Sequence, residues 1–301
     1  MKNKKLLGDL LLLLTAMIWG TAFAAQRTGK GAIEPFSFCA ARMALSAAAV
    51  GTAALIRSLT RGRSAPDGGD RAARENTLKG GLCCGVFLGA ASLFQQAGIY
   101  GTTAGKAGFI TALYILLVPI LELLVFGRKH SALVWTAVGL GVAGLYLLCV
   151  REGFSLARGD ALVCVCALFF AGHILCCGHF ASRADPLALS AIQFAVAALI
   201  SAAAALAFEQ PAWSKVVSAG TAILYCGLVS GGIGYTLQMI AQRFTEPTVA
   251  SLLMSLESVV AVLAGALLLS ERMSAREALG CAVMFAAIVL VQLPHAGREQ
   301  T

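Results

Sequence analysis

The chain repeats itself at a fixed spacing. Gly8-Asp9 returns as Gly159-Asp160, Pro35 as Pro186, and Ala40, Ala44 and Ala47 as Ala191, Ala195 and Ala198, each 151 residues later. Further along the spacing is 143: Cys83 meets Cys226, Gly89 meets Gly232, Gln95 meets Gln238, Ala107 meets Ala250 and Ser131 meets Ser274. The shortening falls in one polar stretch between the second and third apolar segments. Residues 1–150 and 151–301 thus read as two copies of one unit, each with five apolar segments. An odd number of membrane crossings per copy places the second copy upside down relative to the first.

Composition agrees with burial in lipid. The chain is 58% hydrophobic and 13% charged, against about 25% charged in soluble domains. A bilayer crossing needs roughly 20 apolar residues per helix. Ten spans are predicted: 8–26, 36–57, 79–99, 106–126, 132–150, 159–180, 186–208, 217–241, 247–269 and 275–293. The segments are too long and too uniformly apolar for barrel strands. The fold class expected is an all-α integral membrane protein, with ten transmembrane helices as two inverted five-helix repeats. The first span is not expected to be a cleaved leader, because no small-x-small site precedes a soluble domain.

The net charge of +8 does not point to nucleic acid, because the basic residues sit in loops and at helix ends. Lys2, Lys4, Lys5, Arg57, Arg61, Arg63, Arg71, Arg74, Lys79, Arg128 and Lys129 fall on one side of the predicted membrane. The positive-inside rule makes that side, and both termini, cytoplasmic. Residues 58–78 are polar and read as a flexible cytoplasmic loop. Pro35, Pro186 and Pro247 open spans, where a missing amide hydrogen costs nothing. Pro119 lies inside the fourth span and predicts a kink one turn earlier. Gly81, Gly85 and Gly89 form a four-residue stripe suited to close helix packing. There is no GxxxxGK[ST] loop for nucleotide.

A charge inside the bilayer costs about 2.5–3.5 kcal/mol on insertion scales, so each one is a candidate for function. Glu257 stands near the middle of the ninth span. It is read either as a proton carrier or counter-ion to a cationic solute, or as a structural glutamate bonded to helix-end amides. Arg42 lies two turns into the second span, either locking helices through carbonyls or binding a substrate carboxylate. Glu122, near a span end, is expected to reach water. Lys106 is expected to snorkel, and Asp9 and Asp160 to cap helix starts. Gln95 and Gln238 occupy equivalent places in the two copies, as two walls of one cavity or as interhelical hydrogen bonds. Trp19, Tyr114 and Tyr235 lie within spans and suit a pocket for a flat or apolar solute. Trp135 and Trp213 suit the interfaces.

The ten cysteines all fall within spans, which argues against a disulfide framework. Cys166, His173 and Cys177 share one face of the sixth span, with Cys176 and His179 on its flank. They read as apolar packing beside a cavity-facing histidine, or as a soft-metal set. The facing helices offer no obvious further ligands in the sequence.

Several motifs occur in order along the ten spans. They are Trp19-Gly20-Thr21-Ala22-Phe23, Ala41-Arg42, and the run from Thr102-Thr103-Ala104-Gly105-Lys106 to Tyr114, with Pro119 beyond it. The second copy has Ser255-Leu256-Glu257 and Leu267-Leu268-Leu269-Ser270-Glu271-Arg272. With these the chain resembles the EamA-type family of the drug/metabolite transporter superfamily. The resemblance implies a secondary transporter of the bacterial cytoplasmic membrane, moving metabolites, amino acids or drugs, often outward, through a central cavity. It departs from that pattern at Ser258, where the family often has proline. It also has Phe170-Ala171 where Trp-Gly would repeat, and Gln193 where Arg42 would. Any site is therefore asymmetric.

The function expected is alternating-access transport of a small organic solute, with protons as a coupling ion through Glu257. No enzyme activity, cofactor or nucleic-acid partner is expected. A monomer suffices and a dimer is compatible. Trp19, Gln95, Tyr114, Tyr235, Gln238 and Glu257 are the expected substrate-binding residues, with Arg42 and Glu257 carrying charge. The alternative is a soft-metal transporter or metal-dependent intramembrane enzyme built on the sixth-span Cys/His cluster.

Overall fold

The computed structural model describes residues 2–60, 68–102, 104–149, 157–260, 263 and 274–292. Among them there is no strand. In chain order the helices are α1 (Lys2–Thr28), α2 (Pro35–Thr60), α3 (Gly68–Gly101), α4 (Ala104–Ala112), α5 (Tyr114–Phe126), α6 (Ala132–Cys149) and α7 (Arg158–Phe180). Then follow α8 (Pro186–Phe208), α9 (Trp213–Ser218), α10 (Gly220–Leu224), a π-helix (Tyr225–Tyr235), α11 (Thr236–Ala241), α12 (Pro247–Met254) and α13 (Ala275–Gln292).

Eight helical segments among the described residues are long and apolar enough to cross a membrane. Two shorter apolar helices, Ala132–Leu147 and Pro247–Val260, occupy the places of the fifth and ninth predicted spans. Most of 261–269, and the Ser270-Glu271-Arg272 motif, lie outside the described residues, as does the Lys106 side chain. The distribution of side chains is that of a protein in lipid. Leu10, Leu14, Val86, Leu124 and Leu199 are exposed, while Arg42, Gln95, Gln193 and Glu257 are buried.

Pro35, Pro186 and Pro247 each take the first helical position. The carboxylate of Asp185 accepts from the amides of Leu187 and Ala188 at 3.0 and 2.9 Å, capping α8. Ser274 and Glu277 bond reciprocally to start α13. The predicted loop 58–78 is corrected at both ends. α2 runs on to Thr60, and α3 already begins at Gly68. The polar stretch is helix-compatible: Glu75 pairs with Lys79 one turn on at 2.6 Å, and the Thr77 hydroxyl donates to Ala73 O. Polarity marked the membrane boundary there and not the helix boundary. Residues 61–67 lie outside the described residues.

Contacts come in pairs under the two spacings. Thr245 Oγ1 donates to Asp9 Oδ1 at 3.0 Å, and Thr102 donates to Asp160. Asp160 is the counterpart of Asp9, and Thr245 of Thr102. Gly8 abuts Ala241 and Phe244, as Gly159 abuts Gly98 and Gly101. Each member of such a pair joins the first half to the second with the roles exchanged. Asp160 also accepts from the amide of Ala157 at 2.8 Å, as a cap. Asp9 does not cap, because α1 begins at Lys2 and carries Asp9 inside the helix.

The glycine stripe of α3 packs on α8. A methyl group on Gly85 would lie 2.6 Å from Val196 Cβ and 2.9 Å from Gln193 O, and one on Gly81 would meet Ile192 at 2.6 Å. Backbone is among these neighbours, so relief requires the helices to part. Gly85→Ala is expected to cost about 1–3 kcal/mol by overpacking, read as a lower melting midpoint in detergent. Gly51→Ala, with nothing within 4 Å, should leave the midpoint unchanged or slightly higher.

Candidate functional site

Two helix breaks build the site. The fourth predicted span is interrupted at Leu113, between α4 and α5, where Leu113 N bonds to Ile110 O. The ninth is interrupted after Met254, where Leu256 N bonds to Leu253 O. Leu113 and Leu256 are counterparts at spacing 143, and so are their acceptors. Pro119 lies inside α5, six residues beyond the first break, and the counterpart position 262 is Val, so the kink expected at the proline is not what sets the two breaks. The residue after each break turns inward. These two residues, Tyr114 and Glu257, meet: Tyr114 OH donates to Glu257 Oε1 at 3.1 Å.

Around this pair lies a cavity lined by Trp19, Gln26, Arg42, Gln95, Thr111, Tyr114, Phe170, Ser230, Tyr235 and Glu257, with Ala22 and Phe23. Trp19 Nε1 donates to Ser230 O at 3.1 Å, and its ring stands 4.6 Å from that of Tyr235. Gly234 makes room for the indole: a methyl group there would sit 2.6 Å from Nε1. Phe170 is the counterpart of Trp19 at spacing 151, so an aromatic ring lines the cavity from each half. Gln95 Nε2 approaches Thr111 Oγ1 at 3.5 Å.

The two charged groups of the wall have few partners among the described residues. Glu257 is 3% exposed and accepts from Tyr114. Arg42 is 2% exposed; its Nη2 reaches Cys39 Sγ at 3.7 Å, and its Nε has no hydrogen-bond partner among the described residues. A buried guanidinium so poorly satisfied is costly unless a ligand or water completes it. The cavity holds about 30 Å³, room for a water or two. Ligand pockets are typically about 300–1,000 Å³, so an organic solute requires the walls to move apart.

Gln238 stands outside this lining. It is fully buried, donates to Gln242 Oε1 at 3.0 Å, and Gln242 in turn donates to Ile174 O at 2.9 Å. The cause is the π-helix just before it. Residues 225–235 form i→i+5 bonds, whereas the equivalent stretch of α3 is α-helical. The two glutamines therefore leave their helices on different faces. Glu122 also differs from expectation. It is buried, accepting from Thr248 Oγ1 at 2.6 Å and Arg128 Nη1 at 3.2 Å, which ties α5 to α12.

The cysteine–histidine set is rearranged as well. Cys166 packs in the main apolar core, away from Cys177. His173 and Cys177 instead meet Cys84 of α3. The cysteine doublets 83–84 and 176–177 face each other across α3 and α7, a match that depends on helix packing. Trp213 is exposed, as an interfacial ring would be. Gln26, Thr111, Phe170 and Ser230 were not among the expected site residues; Phe170 carried a signal as the counterpart of Trp19, and Thr111 as part of the run that ends at Tyr114.

Comparison with known proteins fits this architecture. A protein of Archaeoglobus fulgidus described as an uncharacterized transporter is 28% identical over 290 residues, spanning 96% of this chain and 87% of its own. A solved crystal structure superposes with a TM-score of 0.74 at 22% identity, covering 95% of this chain and 98% of that one. The EamA-like transporter family matches residues 6–150 and again 157–293. A multi-pass membrane protein matched over both halves in this way belongs to the EamA-like transporter family.

Proposed function

We propose that the protein is a secondary active transporter that moves a small organic solute through the central cavity by alternating access. The observation that carries this reading is the Tyr114–Glu257 contact: two counterparts meeting on the wall of a cavity between the halves. The exchanged contacts of Asp9 with Thr245 and Asp160 with Thr102 support ten spans arranged as two inverted five-helix repeats. Units 1–150 and 151–301 are then the two moving bodies. The breaks at Leu113 and Leu256 supply hinges beside the site.

The lining suggests the solute. Arg42 offers a buried cation to a carboxylate or similar anion. Trp19, Phe170 and Tyr235 offer faces to a flat or apolar body. Gln95 offers an amide. Glu257 either carries a proton or receives a cationic group, so an amino-acid-like solute would satisfy both charges. The basic residues of the first half favour cytoplasmic termini in a bacterial inner membrane. Export is the direction the family resemblance favours. One chain encloses the cavity, so a monomer is sufficient.

The test is counterflow into proteoliposomes, using a panel of amino acids, nucleobases and quaternary ammonium compounds preselected by thermal shift. Saturable counterflow with one chemical class is the expected result. Uptake that rises linearly with concentration for every class would indicate a channel or scaffold and defeat the proposal.

A further inference from the structure

Behind the cavity wall is a second cluster with its own chemistry. Cys84 of α3 and His173 and Cys177 of α7 are fully buried or nearly so, with their donor atoms all within 4.8 Å of one another. Cys84 Sγ lies 3.9 Å from Cys177 Sγ, and Cys177 Sγ lies 3.7 Å from His173 Nδ1 and 3.5 Å from His173 Nε2. Tetrahedral zinc, with bonds of about 2.3 Å to sulfur and about 2.0–2.1 Å to nitrogen, sets sulfur–sulfur edges near 3.8 Å and sulfur–nitrogen edges near 3.5 Å. The Cys84–Cys177 and Cys177–His173 edges are already close to those spacings, and the third edge is within 4.8 Å.

The outer partner is also in place. His173 Nε2 lies 3.0 Å from Gln193 Oε1. If Nε2 carries the proton, it donates to that oxygen and leaves the Nδ1 lone pair free to ligate once the ring turns toward the sulfurs, the way metal-binding histidines are held. Met239 packs in the same cluster and keeps it apolar. Two thiolates and a neutral imidazole carry two negative charges, so a divalent ion gives a neutral complex, the cheapest to bury.

We propose that Cys84, His173 and Cys177 form a binding site for a thiophilic divalent cation of the zinc type, linking α3 to α7. Binding forms two metal–sulfur bonds and one metal–nitrogen bond and releases the two thiol protons to solvent. Three protein donors leave a fourth position open. The site lies outside the cavity lining but touches it through one ring: Tyr235, which lines the cavity, stands edge-on to His173 at 5.7 Å. A bound cation therefore pins the pair of helices behind the Tyr235 wall.

The experiment uses full-length protein, kept reduced, purified in detergent from zinc-supplemented cells and dialysed. Metal content and the zinc X-ray absorption edge are measured. The expected result is about one zinc per chain, with two sulfurs at about 2.3 Å and at least one nitrogen at about 2.0–2.1 Å. Cys84→Ser combined with Cys177→Ser should remove the zinc, while Cys226→Ser, on a different helix, should retain it. Gln193→Ala should weaken affinity about 10–100-fold. A wild-type shell of oxygen and nitrogen only, no retained zinc, or zinc that survives the double substitution would overturn the assignment. The absorption spectrum is read on the wild type, so a variant that fails to fold does not obscure the answer. None of these readouts depends on which solute is transported.

Discussion

Glu257→Gln is expected to abolish the response of transport to a pH gradient while sparing solute exchange. The wild-type carboxyl is buried, with Tyr114 as its hydrogen-bond partner. An ionisable group buried among membrane helices is costly and marks a proton or ion pathway, which makes this carboxyl the candidate coupling group. If one proton exchanges for each solute, each pH unit across the membrane supports about a tenfold accumulation ratio. The glutamine variant keeps the size and the hydrogen bond from Tyr114 but cannot ionise. Its accumulation ratio should be flat with the pH gradient, with counterflow still saturable. Proteoliposomes with imposed gradients make the comparison directly. A glutamine variant that still follows the gradient as the wild type does would remove Glu257 from the coupling step.

The second large effect is expected at Arg42. Its guanidinium is buried on the cavity wall, with a sulfur contact at 3.7 Å and an unpartnered Nε among the described residues. An anionic solute group that pairs with it becomes a desolvated, charge-assisted contact. Removing one partner of such a pair typically costs about 2–5 kcal/mol, which is tens- to thousands-fold in Kd. Arg42→Met is therefore expected to weaken binding of a carboxylate-bearing solute by at least about thirtyfold. It should leave the melting midpoint of the unliganded protein close to that of wild type, because no carboxylate of the protein bonds to Arg42 among the described residues. Titration calorimetry in detergent separates the two quantities. If the midpoint collapses and solute affinity is unchanged, Arg42 is a structural lock.

Much of this fold was legible in the sequence because duplication and hydropathy are one-dimensional signals. The spacings 151 and 143 match Asp9 with Asp160 and Thr102 with Thr245, and each aspartate bonds to a threonine of the other half. The span-opening prolines stand at the first helical position. What the spacing alone could not supply was rotation about helix axes. Gln95 and Gln238 are matched in sequence, yet an eleven-residue π-helix precedes the second, and only Gln95 lines the cavity. Conversely, Tyr114 and Glu257 look unrelated as residue types, yet they are counterparts at spacing 143 and touch each other. The Cys84–His173–Cys177 group was hidden because one of its three residues comes from a facing helix whose register no periodicity in the sixth span encodes. Glu122 was placed at a water-facing helix end, although its partner Thr248 comes from a distant helix and buries it.

The most direct test of the central claim is a density map of the protein with a thermal-shift-selected solute bound. New density is expected among Trp19, Arg42, Tyr114, Tyr235 and Glu257, with the walls parted beyond the 30 Å³ of the cavity. Density bound elsewhere, with this cavity unchanged, would contradict that claim.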